Sequence, residues 1–217
     1  MIKSFFNTLS FLFHPLFIPI IGLYFLFTLP SFTPGLIEKS LHHISPDIQT
    51  AIYLIITMLL IIAPGISILI MMWSKLIKTV YMESKQERTY AIATILMYTA
   101  FCYVYLRKMM IDQPNYEFLL VYIFSILCIV LACFIINFYT KISLHTAGFF
   151  GLIGTIIGYF NHQINYNLLL ILLLVLIGGI VASGRLYLKA HKNAEVLSGM
   201  VVGFGIAFLC MKFEWFL

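Results

Sequence analysis

Long stretches without a charge constrain this chain more than any other feature. Seven apolar segments follow one another, at about residues 5–27, 51–73, 89–105, 118–138, 146–160, 168–182 and 196–211. A helix needs about 20 apolar residues to cross the hydrocarbon core of a bilayer, and a helix satisfies its own backbone there. With 62% hydrophobic residues, 10% charged residues and a mean hydropathy of +1.04, the composition excludes a soluble globular protein. The pattern predicts an all-α fold: a polytopic membrane helix bundle of about six to seven transmembrane helices, forming a single domain over residues 1–217. The first segment is expected as one uncleaved helix bent near Pro15 and Pro19. Pro64-Gly65 marks a kink in the second, and the short fifth and sixth segments would cross by thinning the bilayer or by extending into their flanks.

The charges that remain are sparse. Thirteen Lys and Arg against eight Asp and Glu give a net charge of +5, spread over short loops rather than gathered on one basic face. Nucleic-acid binding is therefore not expected, and attraction to anionic membrane lipids accounts for the balance. Cys102, Cys128, Cys133 and Cys210 all fall in apolar stretches and read as buried small hydrophobes. No carboxylate or histidine cluster calls for a metal or another cofactor. Nothing in the chain indicates its oligomeric state.

Three loops carry most of the charge: residues 74–88, 139–145 and 183–195. Two crossings separate the first from the second, and two more separate the second from the third, so all three lie on one face. That face receives nine of the thirteen basic residues, while Lys39, Arg107, Lys108 and Lys212 fall on the other. The positive-inside rule would turn the richer face to the cytoplasm.

The third loop holds the densest chemistry. Arg185 offers a planar fork of donors suited to phosphate. His191 can act as nucleophile or base, and Glu195, four residues on, can sit one helical turn away and orient it. Arg185, five residues, His191, three residues and Glu195, followed by Gly199 and Gly203, resembles the third signature of the type 2 phosphatidic acid phosphatase superfamily. Ser143 and His145 resemble the second signature, Pro-Ser-Gly-His. Lys85 and Arg88 resemble, more loosely, the first. Gly184 stands at the signature serine, Glu195 at the aspartate, Ile142 at the proline and Leu144 at the glycine. The resemblance covers about the C-terminal two-thirds, with a core at about 74–211.

That resemblance implies metal-independent hydrolysis of a lipid phosphate. His191 would be the nucleophile, Glu195 its orienting partner and His145 the general acid and base. Arg185, Arg88 and one or both of Lys85 and Lys141 would hold the phosphoryl oxygens, with Ser143 at the phosphate-binding helix start. A polyprenyl diphosphate, a phosphatidic acid and a phosphatidylglycerol phosphate all remain open as substrates. The family implies a bacterial inner-membrane protein, often acting on the outer side, whereas the charge count points inward. A non-enzymatic transporter or structural protein with a decayed site is the alternative. Gly148, Gly151, Gly154 and Gly158 are expected to let the fifth helix pack closely on the seventh through Gly199, Gly203 and Gly205.

Overall fold

The computed structural model describes residues 2–30, 41–79, 82, 84–110, 116–162 and 166–214. Lys39, assigned above to the sparser face, lies outside them. The described residues are helical: α1 (Ile2–Leu12), α2 (Ile18–Thr28), α3 (Pro46–Thr57), α4 (Ala63–Trp73), α5 (Lys85–Met110), α6 (Glu117–Asn137), α7 (Leu144–Phe160), α8 (Leu168–Tyr187) and α9 (Asn193–Phe213). Among the described residues, five helical spans are long and apolar enough to cross a membrane, namely Pro46–Trp73, α5, α6, α8 and α9, and α2 and α7 are shorter apolar helices. A polytopic helical bundle is thus what the chain forms.

The first apolar segment departs from expectation, being two helices rather than one bent helix. Pro15 disfavours helical backbone at His14, and Pro19 begins α2 in the first turn, where its missing N–H is not needed. The segment between them is a turn closed by the Phe17 N–H on the His14 carbonyl at 2.8 Å. α1 half-buries Phe6, Leu9 and Ser10, and the turn after it half-buries Phe13, while Ile2, Phe5, Phe11 and Leu12 stay exposed. Lys3, Ser4, Asn7 and Thr8 share another face, so α1 is amphipathic, the pattern of helices that lie along a membrane interface. It packs against the end of α8, where the Phe6 and Tyr187 rings are 5.1 Å apart.

The second segment behaves as its proline requires. Pro64 cannot supply an N–H and crowds the carbonyl one turn back, and the chain relieves this with a π-helical turn at Met58–Ile62 joining α3 to α4. The third and sixth segments are longer than their apolar cores, 26 residues for α5 and 20 for α8. Hydropathy marks where a helix leaves hydrocarbon, and both helices continue into polar flanks.

At the centre stands α7, the helix with most of its residues buried. It packs on α9 through glycines: a methyl at Gly154 would come within 2.5 Å of the Phe204 carbonyl oxygen, and one at Gly158 within 2.6 Å of Met211 Cβ. From the other side, Gly203 lies directly against the Ala147 backbone. Small residues here replace side-chain volume with close backbone approach, and this seam fixes the starts of α7 and α9 together.

Candidate functional site

Those two helix starts are cross-linked before any functional side chain is considered. The Ser143 N–H donates to the Glu195 carbonyl at 3.1 Å. The Thr146 hydroxyl reaches the Val196 carbonyl at 3.2 Å. Ser143 itself is fully buried, and its hydroxyl accepts the Thr146 N–H as the N-cap of α7. Its observed work is to shape the turn that presents His145.

The α8–α9 connection then places the triplet. α8 ends at Tyr187, and Lys189 turns the chain with a left-handed φ of 53°. Glu195 sits in the first turn of α9, where its carboxylate accepts the Lys192 N–H at 3.3 Å. The same oxygen meets His191 Nδ1 at 2.8 Å. A carboxylate accepts only, so Nδ1 carries the ring proton and Nε2 keeps its lone pair. Lys141 donates to the Ala190 carbonyl at 2.8 Å, pinning the loop just before His191.

His191 lies in the connecting loop, and its pKa is lowered to about 4. Burial is the main cause; the Glu195 hydrogen bond opposes it, and the Lys141 and Arg185 cations reinforce it. The ring is neutral at neutral pH, which is the protonation state a nitrogen nucleophile needs.

His145 and Arg185 complete the cluster from α7 and α8. His145 Nε2 donates to the Ser10 carbonyl at 3.2 Å. Arg185 Nη1 donates to the Ser10 hydroxyl at 3.3 Å, while its Nε is buried without a hydrogen-bond partner. A buried guanidinium nitrogen left without an acceptor is costly, and an anion is what it would take. His14 also belongs here: its ring stands 5.4 Å from that of His145, edge to face. Burial, and next the Arg185 cation, lower its pKa. Neither Ser10 nor His14 was singled out from sequence. Ser10 acts partly through a backbone carbonyl, which leaves no signature; an ionisable His14 inside an apolar stretch was a usable signal.

The structure therefore gathers His191, Glu195, Lys141, Arg185 and His145 at one end of the bundle, with Ser143 beneath them. Lys85 and Arg88 share that end, but hydrogen bonds tie both to the close of α6 and Arg88 also to Met82. Lys85 donates to the Phe138 carbonyl at 2.7 Å and lies over the Phe138 ring. Arg88 reaches Asn137 Oδ1 and the Met82 carbonyl, both at 3.3 Å. Asn137 in turn donates to Thr89 at 2.8 Å, tying α5 to α6.

An integral membrane helix bundle with a histidine–arginine–carboxylate cluster at one end is the class that fold and site define. Residues 136–217 match the family model of the PAP2 superfamily, a stretch that runs from the last turn of α6 onward. The matched region contains Lys141, Ser143, His145, Arg185, His191 and Glu195, and leaves out Ser10, His14, Lys85 and Arg88. No curated protein and no solved structure matches the chain. The superfamily implies phosphatase-type activity on phosphate esters.

Proposed function

We propose that this protein is a lipid phosphatase that hydrolyses a phosphomonoester or diphosphate of a membrane lipid through a phosphohistidine. The observation that carries the reading is the His191–Glu195 pair beside Arg185, whose buried Nε lacks an acceptor. Neutral His191 attacks phosphorus through Nε2, forming an N–P bond as the P–O bond to the lipid breaks. Glu195 stabilises the positive charge that develops on the ring. His145, protonated when the anionic phosphate lies beside it, gives its proton to the departing lipid oxygen. Water then attacks the phosphohistidine, His145 takes up a proton, and phosphate and free His191 are released.

Arg185 and Lys141 neutralise the charge on the phosphoryl oxygens. Lys85 and Arg88 join them in this reading once substrate draws them from the end of α6. No metal enters any step. The partners are the lipid phosphate and the surrounding lipids, and a bacterial inner membrane is the setting that the family resemblance favours.

Phosphate release from a panel of lipid phosphates, measured in detergent with a chelator present, tests the proposal. The intact protein should release phosphate, and His191→Ala should lower the rate roughly 10,000-fold. A well-folded protein that releases none from any substrate would return the non-enzymatic alternative. Activity lost to the chelator would overturn the metal-free mechanism.

A further inference from the structure

A narrow cleft runs into the bundle between α2, the π-helical turn, α5, α6 and α7. Its wall includes Pro15 and Leu144 at one end and Tyr122 and Thr155 at the other. Pro15 follows His14 and Leu144 precedes His145, so the cleft begins beside the two histidines whose rings are 5.4 Å apart. From Leu144 to Thr155 the α7 wall spans eleven helical steps, roughly 16 Å at the helical rise. That is close to half of the roughly 30 Å hydrocarbon thickness of a bilayer, the depth a lipid chain occupies in one leaflet.

The lining does not suit water. The Thr99 hydroxyl donates to the Ile95 carbonyl at 2.7 Å, Tyr122 to the Pro19 carbonyl at 2.9 Å and Ser125 to the Tyr122 carbonyl at 2.7 Å. With those donors turned into the backbone, the remaining surface is overwhelmingly aliphatic, and an apolar cavity stays dry or takes a hydrocarbon. On the far flank of α7 the glycine seam with α9 leaves no room for a methyl group at Gly154 or Gly158, so no chain passes there.

We propose that this cleft binds the hydrocarbon of a single-chain lipid phosphate, an alkyl or prenyl phosphate, whose headgroup lies against Arg185 and His191. The inference rests on the phosphatase reading and narrows its substrate. A diacyl phosphate carries two chains from one glycerol; the glycine seam offers no second channel on the other flank of α7, so its second chain would stay outside the bundle while a single-chain lipid is held whole. The N-terminal helices, which lie outside the family match, would then set chain selectivity.

Two measurements test it. Hexadecyl phosphate bearing a diazirine at the chain end should label Thr99, Tyr122 or Thr155, and excess dodecyl phosphate should suppress the labelling. Label confined to outward-facing Leu169, Leu172 or Val201 would overturn the proposal. Val130→Trp, which fills the cleft from α6, should raise KM for hexadecyl phosphate at least about tenfold while leaving kcat/KM for butyl phosphate unchanged. Equal losses on both substrates, or no change on either, would overturn it, as would phosphatidic acid being cleaved faster than hexadecyl phosphate. No turnover of any phosphate, with the cleft still labelled, would instead remove the phosphatase reading and leave the chain site standing.

Discussion

The two flanks of α7 are built in opposite ways. Toward α9, Gly154, Gly158 and Gly203 bring backbone against backbone, and added atoms would strike the facing main chain or, at Gly158, the Met211 Cβ. Toward α2, a methyl at Gly148 would meet Ile18 Cγ1 at 3.6 Å and the Pro15 Cα at 3.8 Å, which is ordinary contact. Close packing without voids is what holds functional groups to fractions of an ångström, and the chemistry hangs from that side. His145 begins one helix of the seam, and His191 and Glu195 lie at the start of the other. The looser flank borders the cleft. A phosphoryl-transfer centre tolerates little movement, whereas a hydrocarbon chain needs space and no fixed contact, so one helix serves both by presenting a different flank to each.

The largest expected effect on this division comes from Gly203→Ala. The new methyl would fall on the Ala147 carbonyl, and neither α7 nor α9 can rotate it away without separating at their starts. Overpacking of this kind typically costs about 1–3 kcal/mol, and here it also carries His191 away from His145. Thermal unfolding in detergent should show the loss of stability, and phosphate release should fall with it. Gly205→Ala is the matched control on the same helix, because nothing lies within 4 Å of its added methyl. It should be neutral or stabilising by up to about 1 kcal/mol through helix propensity. Equal destabilisation by both would mean that the seam is not where stability is held.

Acidity should have a smaller effect, confined to the chemical end. His191 is held at about 4, below the ordinary histidine value of 6.5, first by burial and then by its cationic neighbours. Its neutral form therefore persists as pH falls from 7, and its contribution to the kcat/KM profile should drop only as pH passes through about 4. The stability consequence has the same sign. The unfolded chain binds the proton near pH 6.5 and the folded one near 4, so stability is full above 6.5 and declines as pH falls between those values. Lys141→Met removes a cation that depresses the ring, so the acid limb should move to higher pH. An acid limb that stays in place in that variant would remove Lys141 from the electrostatics of the nucleophile.

Much of the fold and of the chemical end was legible in the sequence, and the gaps have physical causes. The order of the helices follows from hydropathy, and the shared face of the three charged loops follows from counting crossings. Within the triplet, the four-residue spacing of His191 and Glu195 anticipated the hydrogen bond now seen between them. Hydropathy could not separate α1 from α2, because both are apolar and the division is made by Pro15 and Pro19 acting on backbone geometry. It also cut α5 short at Tyr105, since a helix ends where its backbone bonding ends and not where its side chains become polar. Lys85 and Arg88 match the first signature only loosely, and their contacts with the close of α6 follow from their place in the first turn of α5. The cleft left no mark in the sequence, because an empty space between five elements has no residue of its own.

The smallest expected effect is the one on which the contrast between the flanks turns. Gly148 lies one turn from His145, on the same helix as the seam glycines, and an alanine there meets only a side-chain carbon and a proline Cα at van der Waals distance. Gly148→Ala should therefore change stability by no more than about 0.5 kcal/mol, with helix propensity offsetting any crowding. Its catalytic constants on butyl phosphate should match those of the unaltered protein, because the methyl points away from α9 and leaves the Ser143–Glu195 link intact. Thermal unfolding and short-chain kinetics measured beside Gly203→Ala decide the matter. A loss at Gly148 as large as that at Gly203 would show α7 to be packed alike on both flanks. The cleft would then be filled by neighbouring side chains in solution, with no space left for a lipid chain.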